Sequence, residues 1–166
     1  VNLSSEMPRF EIWLSQEPGP LADVSSELIQ EDISQWQALD LENGIILINK
    51  EDTEHYTPEE LNMDLADFIS WDKGCYTGQE IVARMHYRGK AGKRLYKVVL
   101  EHAESVSGTA LVNSSGNTLG MVFNILYLKN NFILGLTVLK TSIDPAEAAF
   151  LDDESIPLPV SISPLY

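Results

Sequence analysis

The spacing of apolar residues predicts helices in the first half of the chain. Residues 9–15, RFEIWLS, alternate as a strand does and end at the breaker EPGP. Two helical stretches follow, and in the second of them Ile33, Trp36 and Leu39 recur at i, i+3 and i+6. Gly44 stands where a C′ glycine ends a helix, so this helix is predicted to finish there.

A short strand and a further helix are predicted next. Residues 45–48, IILI, form a continuous apolar run that is typical of a buried strand. Thr57, Pro58 and Glu60 have the residue types of the N-cap, N1 and N3 positions, which together indicate a helix start. The apolar residues of 61–69 keep helical spacing, although their Asn and Asp neighbours lead us to expect a partly irregular path.

From residue 93 onward the pattern changes to that of short antiparallel strands. Four segments rich in β-branched and apolar residues are separated by turns at 115–117 and 129–131. This pattern predicts a small barrel or sandwich. The fold class is therefore predicted to be α+β, with an α+β domain over residues 1–90 and a small antiparallel β-barrel domain over residues 91–166.

Length and composition are those of a soluble globular protein. The 166 residues suffice for one ordinary domain or two small ones, and 44% of them are hydrophobic. A single cysteine excludes an internal disulfide, and no apolar run approaches the ~20 residues that span a bilayer. The chain begins with neither Met nor an export signal, and we therefore expect a cytoplasmic fragment of a longer protein.

Charge is distributed unevenly along the chain, whose formal net charge is −14. Residues 73–97, here called the basic strip, carry seven bases and one acid, a net charge of +6. The basic strip would focus anions, unless its bases pair with neighbouring acids as a solvated face. The acidity of the remaining chain disfavours direct nucleic-acid binding and favours a small anionic ligand. The bases are Lys73, Arg84, Arg88, Lys90, Lys93, Arg94 and Lys97.

The only cysteine lies at the start of the basic strip, in the segment DKGCYTGQE. Thr77 and Glu80 have capping-box spacing, which predicts that a helix runs over residues 78–87. The positive end of that helix and the neighbouring Lys73 would both favour a thiolate at Cys75. The alternative is that Cys75 is a small buried hydrophobe, which is the commoner role of a free cysteine.

Residues 73–84, KGCYTGQEIVAR, resemble the signature K-G-C-[YF]-x-G-Q-E-x-x-x-R of the YgfZ family, and every fixed position is present. Members of this family are folate-binding proteins related to the T-protein (aminomethyltransferase) of the glycine cleavage system. Residues 36–45 and 57–65 resemble other parts of the family pattern. The resemblance extends over essentially the whole chain and corresponds to the C-terminal half of the family's sequence.

The resemblance implies a fold, a function and a site. A T-protein-like α/β folate-binding domain portion would precede the barrel. Family members bind tetrahydrofolate and support the assembly or repair of iron–sulfur clusters in enzymes that include tRNA-thiomethylating ones. Cys75 corresponds to the cysteine on which the family's activity depends. Apart from the resemblance, we infer that the bases of residues 84–97 would meet the anionic glutamate tail of folate. The residues expected at the folate site are Trp36, Lys73, Gly74, Tyr76, Gly78, Gln79, Glu80 and Arg84.

Whether the protein is an enzyme stays open at this point. The expected partners are folate and iron–sulfur enzymes or their assembly proteins, without a membrane. One alternative is a folate-dependent aminomethyltransferase, which is disfavoured because T-proteins generally lack the cysteine signature. Another is a non-catalytic module that binds an acidic partner or RNA through the basic strip. His55, His86 and His102 lack metal-ligand spacing, so no metal site is expected, and a Cys–His hydrolase is only weakly supported.

Overall fold

The computed structural model describes residues 32–89, 91–101, 110–128, 131–144, 149–151 and 158–166. The helices are α1 (Ile33–Glu42), a 3₁₀ turn (Lys50–Asp52) and α2 (Gln79–Arg88). The strands are β1 (Lys93–Glu101), β2 (Ala110–Asn113), β3 (Thr118–Leu128), β4 (Phe132–Lys140), β5 (Ala149–Leu151), β6 (Leu158–Pro159) and β7 (Ser161–Pro164). The strand predicted at 9–15 and the helical stretch predicted before Ile33 lie outside the described residues.

The strands form one antiparallel sheet in the order β6-β5-β2-β3-β4-β1-β7. The sheet curls into a half-barrel, because β6 at one end of this order contacts β1 close to the other end. The predicted α+β class and the strand-rich second half are therefore confirmed. The barrel itself is a half-barrel in the described part of the chain, with β6 and β7 at its two ends.

Two apolar clusters pack on opposite faces of the central strands. Residues 133–139 of β4 are all buried, and alternate members belong to different clusters, as the two-residue period of a strand requires. One cluster contains Val98, Leu100, Leu111, Val122, Ile133 and Leu139. The other contains Leu41, Leu61, Leu95, Leu134, Leu136 and Val138. The second cluster joins residues from both sides of residue 90, and the division into two domains there stays a prediction.

Helix α1 ends where its sequence predicts. Asp32 is the N-cap, and its Oδ1 accepts from the Ser34 N–H at 3.1 Å. Gly44 follows the C-cap with φ +66°, a conformation that favours glycine. The Tyr166 hydroxyl donates to the Asn43 carbonyl at 2.8 Å, so the last residue of the chain holds the end of α1.

Residues 45–48 do not form the strand predicted for IILI. Leu47 and Ile48 are 71% and 47% exposed, and the segment has no regular secondary structure. The Asn124 side-chain amide replaces a strand partner here, since it accepts from the Leu47 N–H and donates to the Leu47 carbonyl, both at 2.9 Å. The prediction was wrong because the backbone of this apolar run is not paired in a ladder: the Ile45 N–H donates to the Asp40 carbonyl, and the Leu47 backbone is bonded by the Asn124 side chain.

Residues 57–67 begin as predicted and then turn irregularly. The Thr57–Glu60 capping box is formed, with both of its hydrogen bonds at 3.0 and 3.3 Å. The chain then follows successive turns instead of a helix, because Asn62 and Asp67 have positive φ values of 58° and 57°. Asn62 is buried, and its amide makes paired bonds with the N–H and carbonyl of Leu95. This segment is thereby fixed to β1.

Candidate functional site

The signature loop, residues 71–78, presents Cys75 at the surface just before α2. Cys75 is a free and exposed thiol. The interpretation of Cys75 as a small buried hydrophobe is therefore wrong. An exposed thiol is accessible to a reagent or a partner, which is a condition for reactivity in this residue type.

The predicted capping box at Thr77 and Glu80 is not formed, and α2 starts one residue later than predicted. Gly78 is the N-cap, with φ +90° and no side-chain capping bond. The Gln79 Oε1 instead accepts from the Tyr76 N–H at 3.2 Å. The left-handed backbone at Gly78 changes the direction of the chain between Thr77 and the first turn of α2. Thr77 and Glu80 therefore have the spacing of a capping box without its hydrogen bonds.

Aromatic contacts hold the signature loop against α2. The rings of Trp71 and His86 are stacked with centroids 3.8 Å apart and an interplanar angle of 21°. His86 also meets Tyr87 edge-on at 4.8 Å. Within the loop, the Lys73 Nζ lies 4.5 Å from the centre of the Tyr76 ring, a cation–π distance. The position of Cys75 thus depends on side chains at both ends of α2.

The exposed face of α2 carries two of the predicted folate-site residues. Glu80 and Arg84 line an open surface depression of about 540 Å³ together with Ala83 and Tyr87. Gly74 and Gly78 lie in open space, where an added Cβ would meet no atom within 4 Å. A close approach of the loop backbone to a ligand stays a prediction at both glycines.

The basic strip is partly neutralised by acids of the preceding segment. The Arg94 guanidinium binds the Asp64 carboxylate through two bonds of 2.5 and 2.9 Å, and the Lys93 Nζ lies 3.5 Å from Glu60 Oε1. Both contacts fit the alternative in which these bases pair with neighbouring acids, but the Arg94–Asp64 pair is partly buried and is not a solvated face. Lys93 and Arg94 are also consecutive in β1, so their side chains leave opposite faces of the strand. Bases that are consecutive in the sequence therefore do not form one continuous positive surface here.

Trp36 lines a second and larger cleft between α1, the segment 45–49 and β3. The cleft has a volume of about 590 Å³, within the ~300–1,000 Å³ typical of small-molecule pockets. Its walls combine an aromatic ring and aliphatic side chains with several polar groups. The polar residues that line it are Gln37, Asp40, Asn49 and Asn124.

The structure separates the predicted folate-site residues into two places. Trp36 lies in the α1–β3 cleft, whereas the described lining of that cleft contains no residue of the signature loop. Glu80 and Arg84 lie on the α2 face instead. Sequence reasoning missed Asn124, which both fixes residue 47 and lines the Trp36 cleft. Its only sequence signal is a polar residue inside the apolar run MVFNILYL.

Burial perturbs two tyrosines near these elements. The pKa of Tyr56 is raised by desolvation and by the charges of Asp52 and Glu60. The Tyr56 ring stacks on Phe123 at 5.3 Å, beneath the 57–67 segment. The pKa of Tyr166 is raised by desolvation. Both phenols therefore stay neutral hydrogen-bonding groups over a wider pH range than exposed tyrosines.

None of the helices in the described ranges is long and apolar enough to cross a membrane. The same ranges contain no group of three or more His, Cys, Asp or Glu side chains that could hold a metal ion.

The described residues form an α+β protein with an exposed cysteine in the loop that precedes α2. No family model matches the chain. It is 33% identical over 159 residues to tRNA-modifying protein YgfZ of Blochmanniella pennsylvanica, covering 87% of this chain and 48% of that relative. The chain is thus a homologue of the proteins named tRNA-modifying protein YgfZ, and the resemblance stated from the signature is confirmed.

Shorter matches to other relatives have higher identity. The chain is 39% identical over 90 residues to tRNA-modifying protein YgfZ of Pectobacterium atrosepticum, which covers 53% of the chain and 27% of the relative. It is 47% identical over 62 residues to the protein of that name from Hamiltonella defensa, covering 37% and 18%. The chain therefore spans about half of the length of the first of these relatives, and the two shorter matches cover smaller shares.

Proposed function

We propose that this chain is part of a folate-binding accessory protein for tRNA modification, which supports iron–sulfur cluster assembly or repair in enzymes such as tRNA-thiomethylating ones. The observation that carries the proposal is the exposed thiol of Cys75 within the YgfZ signature. The homologues named tRNA-modifying protein supply the connection with tRNA. Cys75 is the essential thiol in this proposal, and the protein acts on enzymes that modify tRNA.

The Trp36 cleft supports the folate part of the proposal. A pteridine ring is flat, and an indole provides the largest aromatic surface on which it can pack. The amides of Gln37, Asn49 and Asn124 offer donors and acceptors to the polar edge of such a ring. Tetrahydrofolate is therefore a chemically suitable ligand for this cleft. Its glutamate tail would need a base, and Arg84 on α2 is an exposed candidate.

Calorimetric titration of tetrahydrofolate into the chain and into Trp36→Ala tests this proposal. We expect binding to weaken at least tenfold in Trp36→Ala, because the ring would lose its aromatic contact. Tyr127→Ala is the matched control, since Tyr127 is an exposed aromatic residue of β3 that does not line the cleft. Unchanged binding in Trp36→Ala would contradict ring contact at this cleft.

A second titration addresses the signature residues. Arg84→Gln removes the charge expected to meet the glutamate tail. We expect this variant to weaken the binding of polyglutamylated folate more than the binding of the monoglutamate form. Equal losses for both ligands would contradict contact with the tail. If the chain binds no folate at all, the proposal that this chain binds folate is wrong. The role of Cys75 is then tested independently in cells.

A further inference from the structure

Asn124 occupies an irregular point of strand β3, within the part that pairs with β4. The register shifts there: Phe123 pairs with Leu136, whereas Leu126 pairs with Leu134, so two residues of β3 face one residue of β4. Asn124 itself has φ +49°, a left-handed conformation that few residues other than glycine, asparagine and aspartate adopt. Such a bulge changes the direction of a side chain, and bulges are over-represented beside functional sites.

The Asn124 side chain is directed to the middle of the 45–49 segment. Its Oδ1 accepts from the Leu47 N–H, and its Nδ2 donates to the Leu47 carbonyl, both at 2.9 Å. The hydrogen bonds at the two ends of the segment are short-range, with Asp40 at one end and Asp52 at the other. Asn124 therefore joins the middle of this segment to the sheet.

The 45–49 segment forms one wall of the Trp36 cleft. The residues of this wall that line the cleft are Ile45, Ile46, Leu47 and Asn49. The wall has no regular secondary structure, and although Ile46 packs against the second apolar cluster, Leu47 and Ile48 are mostly or half exposed. A wall with so little burial depends on its hydrogen bonds for a fixed position, because little packing opposes its local opening.

We propose that Asn124 is a positioning residue for the ligand of the Trp36 cleft. It acts through the 45–49 segment, whose attachment to β3 fixes the separation between this wall and the Trp36 side of the cleft. A flat ring needs a fixed separation, since a gap of about 1 Å forfeits up to roughly half of the dispersion attraction between facing atoms. The inference rests on the proposed function, because tetrahydrofolate is the ligand proposed for this cleft.

Hydrogen exchange in the ligand-free chain tests the attachment of the wall. Asn124→Gly removes the amide and keeps a residue suited to a positive φ. We expect the Leu47 amide to exchange about fivefold faster in this variant, and the NMR signal of the Trp36 indole N–H to shift. Asn131→Gly is the matched control, because Asn131 also has a positive φ, of 60°, and lies directly before β4, outside the cleft lining. It should leave both signals unchanged.

A double-mutant cycle, measured by titration of tetrahydrofolate, separates positioning from direct contact. Leu47→Pro removes the N–H that Asn124 binds and leaves the Asn124 amide in place. Leu47→Ala keeps that N–H and gives the loss that is due to the side chain alone. Beyond that loss, we expect Asn124→Gly and Leu47→Pro each to weaken binding about fivefold. The double variant should bind no more weakly than Leu47→Pro, because both changes break the same attachment.

The outcomes distinguish this inference from the folate proposal. Unchanged exchange of the Leu47 amide in Asn124→Gly, or an equal effect of Asn131→Gly, would overturn the attachment of the wall by Asn124. Losses of affinity that add in the double variant would overturn positioning and indicate direct contact of Asn124 with the ligand. If the unchanged chain does not bind tetrahydrofolate, the folate proposal fails together with the ligand part of this inference. Faster exchange in Asn124→Gly would then still support the attachment of the wall.

Discussion

The central strands and the signature loop are built in opposite ways. Strands β1 and β4 are paired over nine residues, and β4 is buried on both faces from residue 133 to residue 139. The signature loop has an exposed cysteine, two glycines in open space and aromatic contacts to α2. The residues proposed to act therefore lie on the surface of the folded core and are not part of it. Changes in the strands should unfold the protein, whereas changes in the loop should spare its stability.

The largest loss of stability is expected for Asn62→Ala. The variant leaves the N–H and carbonyl of Leu95 without their partners in a buried place, at a cost of roughly 3 kcal/mol. Asn124→Ala is the matched control, because its amide makes the same paired contact with Leu47 at an exposed position and should cost about 1 kcal/mol. Urea denaturation measures the free energy of unfolding of both variants. Equal losses would show that burial does not decide what the lost hydrogen bonds cost.

Gly135→Ala should be the next most damaging change. A Cβ at Gly135 in β4 would lie 2.6 Å from the Val122 Cγ1, so the core must shift, at a cost of about 2 kcal/mol. Gly74→Ala in the signature loop places its Cβ in open space and should change the free energy of unfolding by less than about 0.5 kcal/mol. A neutral Gly135→Ala would mean that Val122 relocates freely, contrary to a tightly packed core.

A smaller effect is expected from pH. The folded-state pKa of Tyr56 is raised above its ordinary value of 10.0, so its contribution to stability is complete below pH 10 and is lost as pH rises through the folded pKa. Tyr56→Phe should therefore flatten the fall of stability above pH 10. Tyr76→Phe is the control, because Tyr76 is exposed. The free energy of unfolding is measured as a function of pH. Parallel curves for wild type and Tyr56→Phe would contradict a raised pKa of Tyr56 in the folded state.

The smallest effect on stability is expected for Cys75→Ala. An exposed thiol makes little contribution to packing, and the free energy of unfolding should change by less than about 0.5 kcal/mol. Under the proposed function the same variant loses activity in cells, measured as thiomethylation of tRNA. Loss of soluble protein, instead of loss of activity alone, would mean that Cys75 is structural and would remove the contrast between loop and core.

Local signals predicted the elements that depend on neighbouring residues. The end of α1 at Gly44, the Thr57–Glu60 capping box and the turn at Gly116 all follow from backbone preferences and short-range hydrogen bonds. The Thr77–Glu80 box failed for a local reason too, since the glycine between its members adopts a left-handed conformation. The same spacing thus has two outcomes, which the intervening residues decide.

Long-range contacts explain what the sequence pattern did not predict. The apolar run at 45–48 is exposed in part, and the backbone of its Leu47 is bonded by Asn124, which lies 77 positions away. The basic strip is divided because Glu60 and Asp64 reach two of its bases. Glu59 lies within the predicted helix start at 57–60, and it is buried because the 57–67 segment packs against β1. No local pattern reports such a contact.

By itself, the sequence determined the α+β class, the C-terminal end of α1, the strand-rich character of the second half, and the YgfZ resemblance carried by KGCYTGQE. These depend on periodicity, on backbone preference and on a contiguous motif, all of which are properties of neighbouring residues. Only the tertiary structure decided that Cys75 is exposed, that Trp36 lies apart from the signature loop and that Glu59 is buried without a partner. Burial and pairing depend on which distant segments meet, and that is set by the packing of the whole chain.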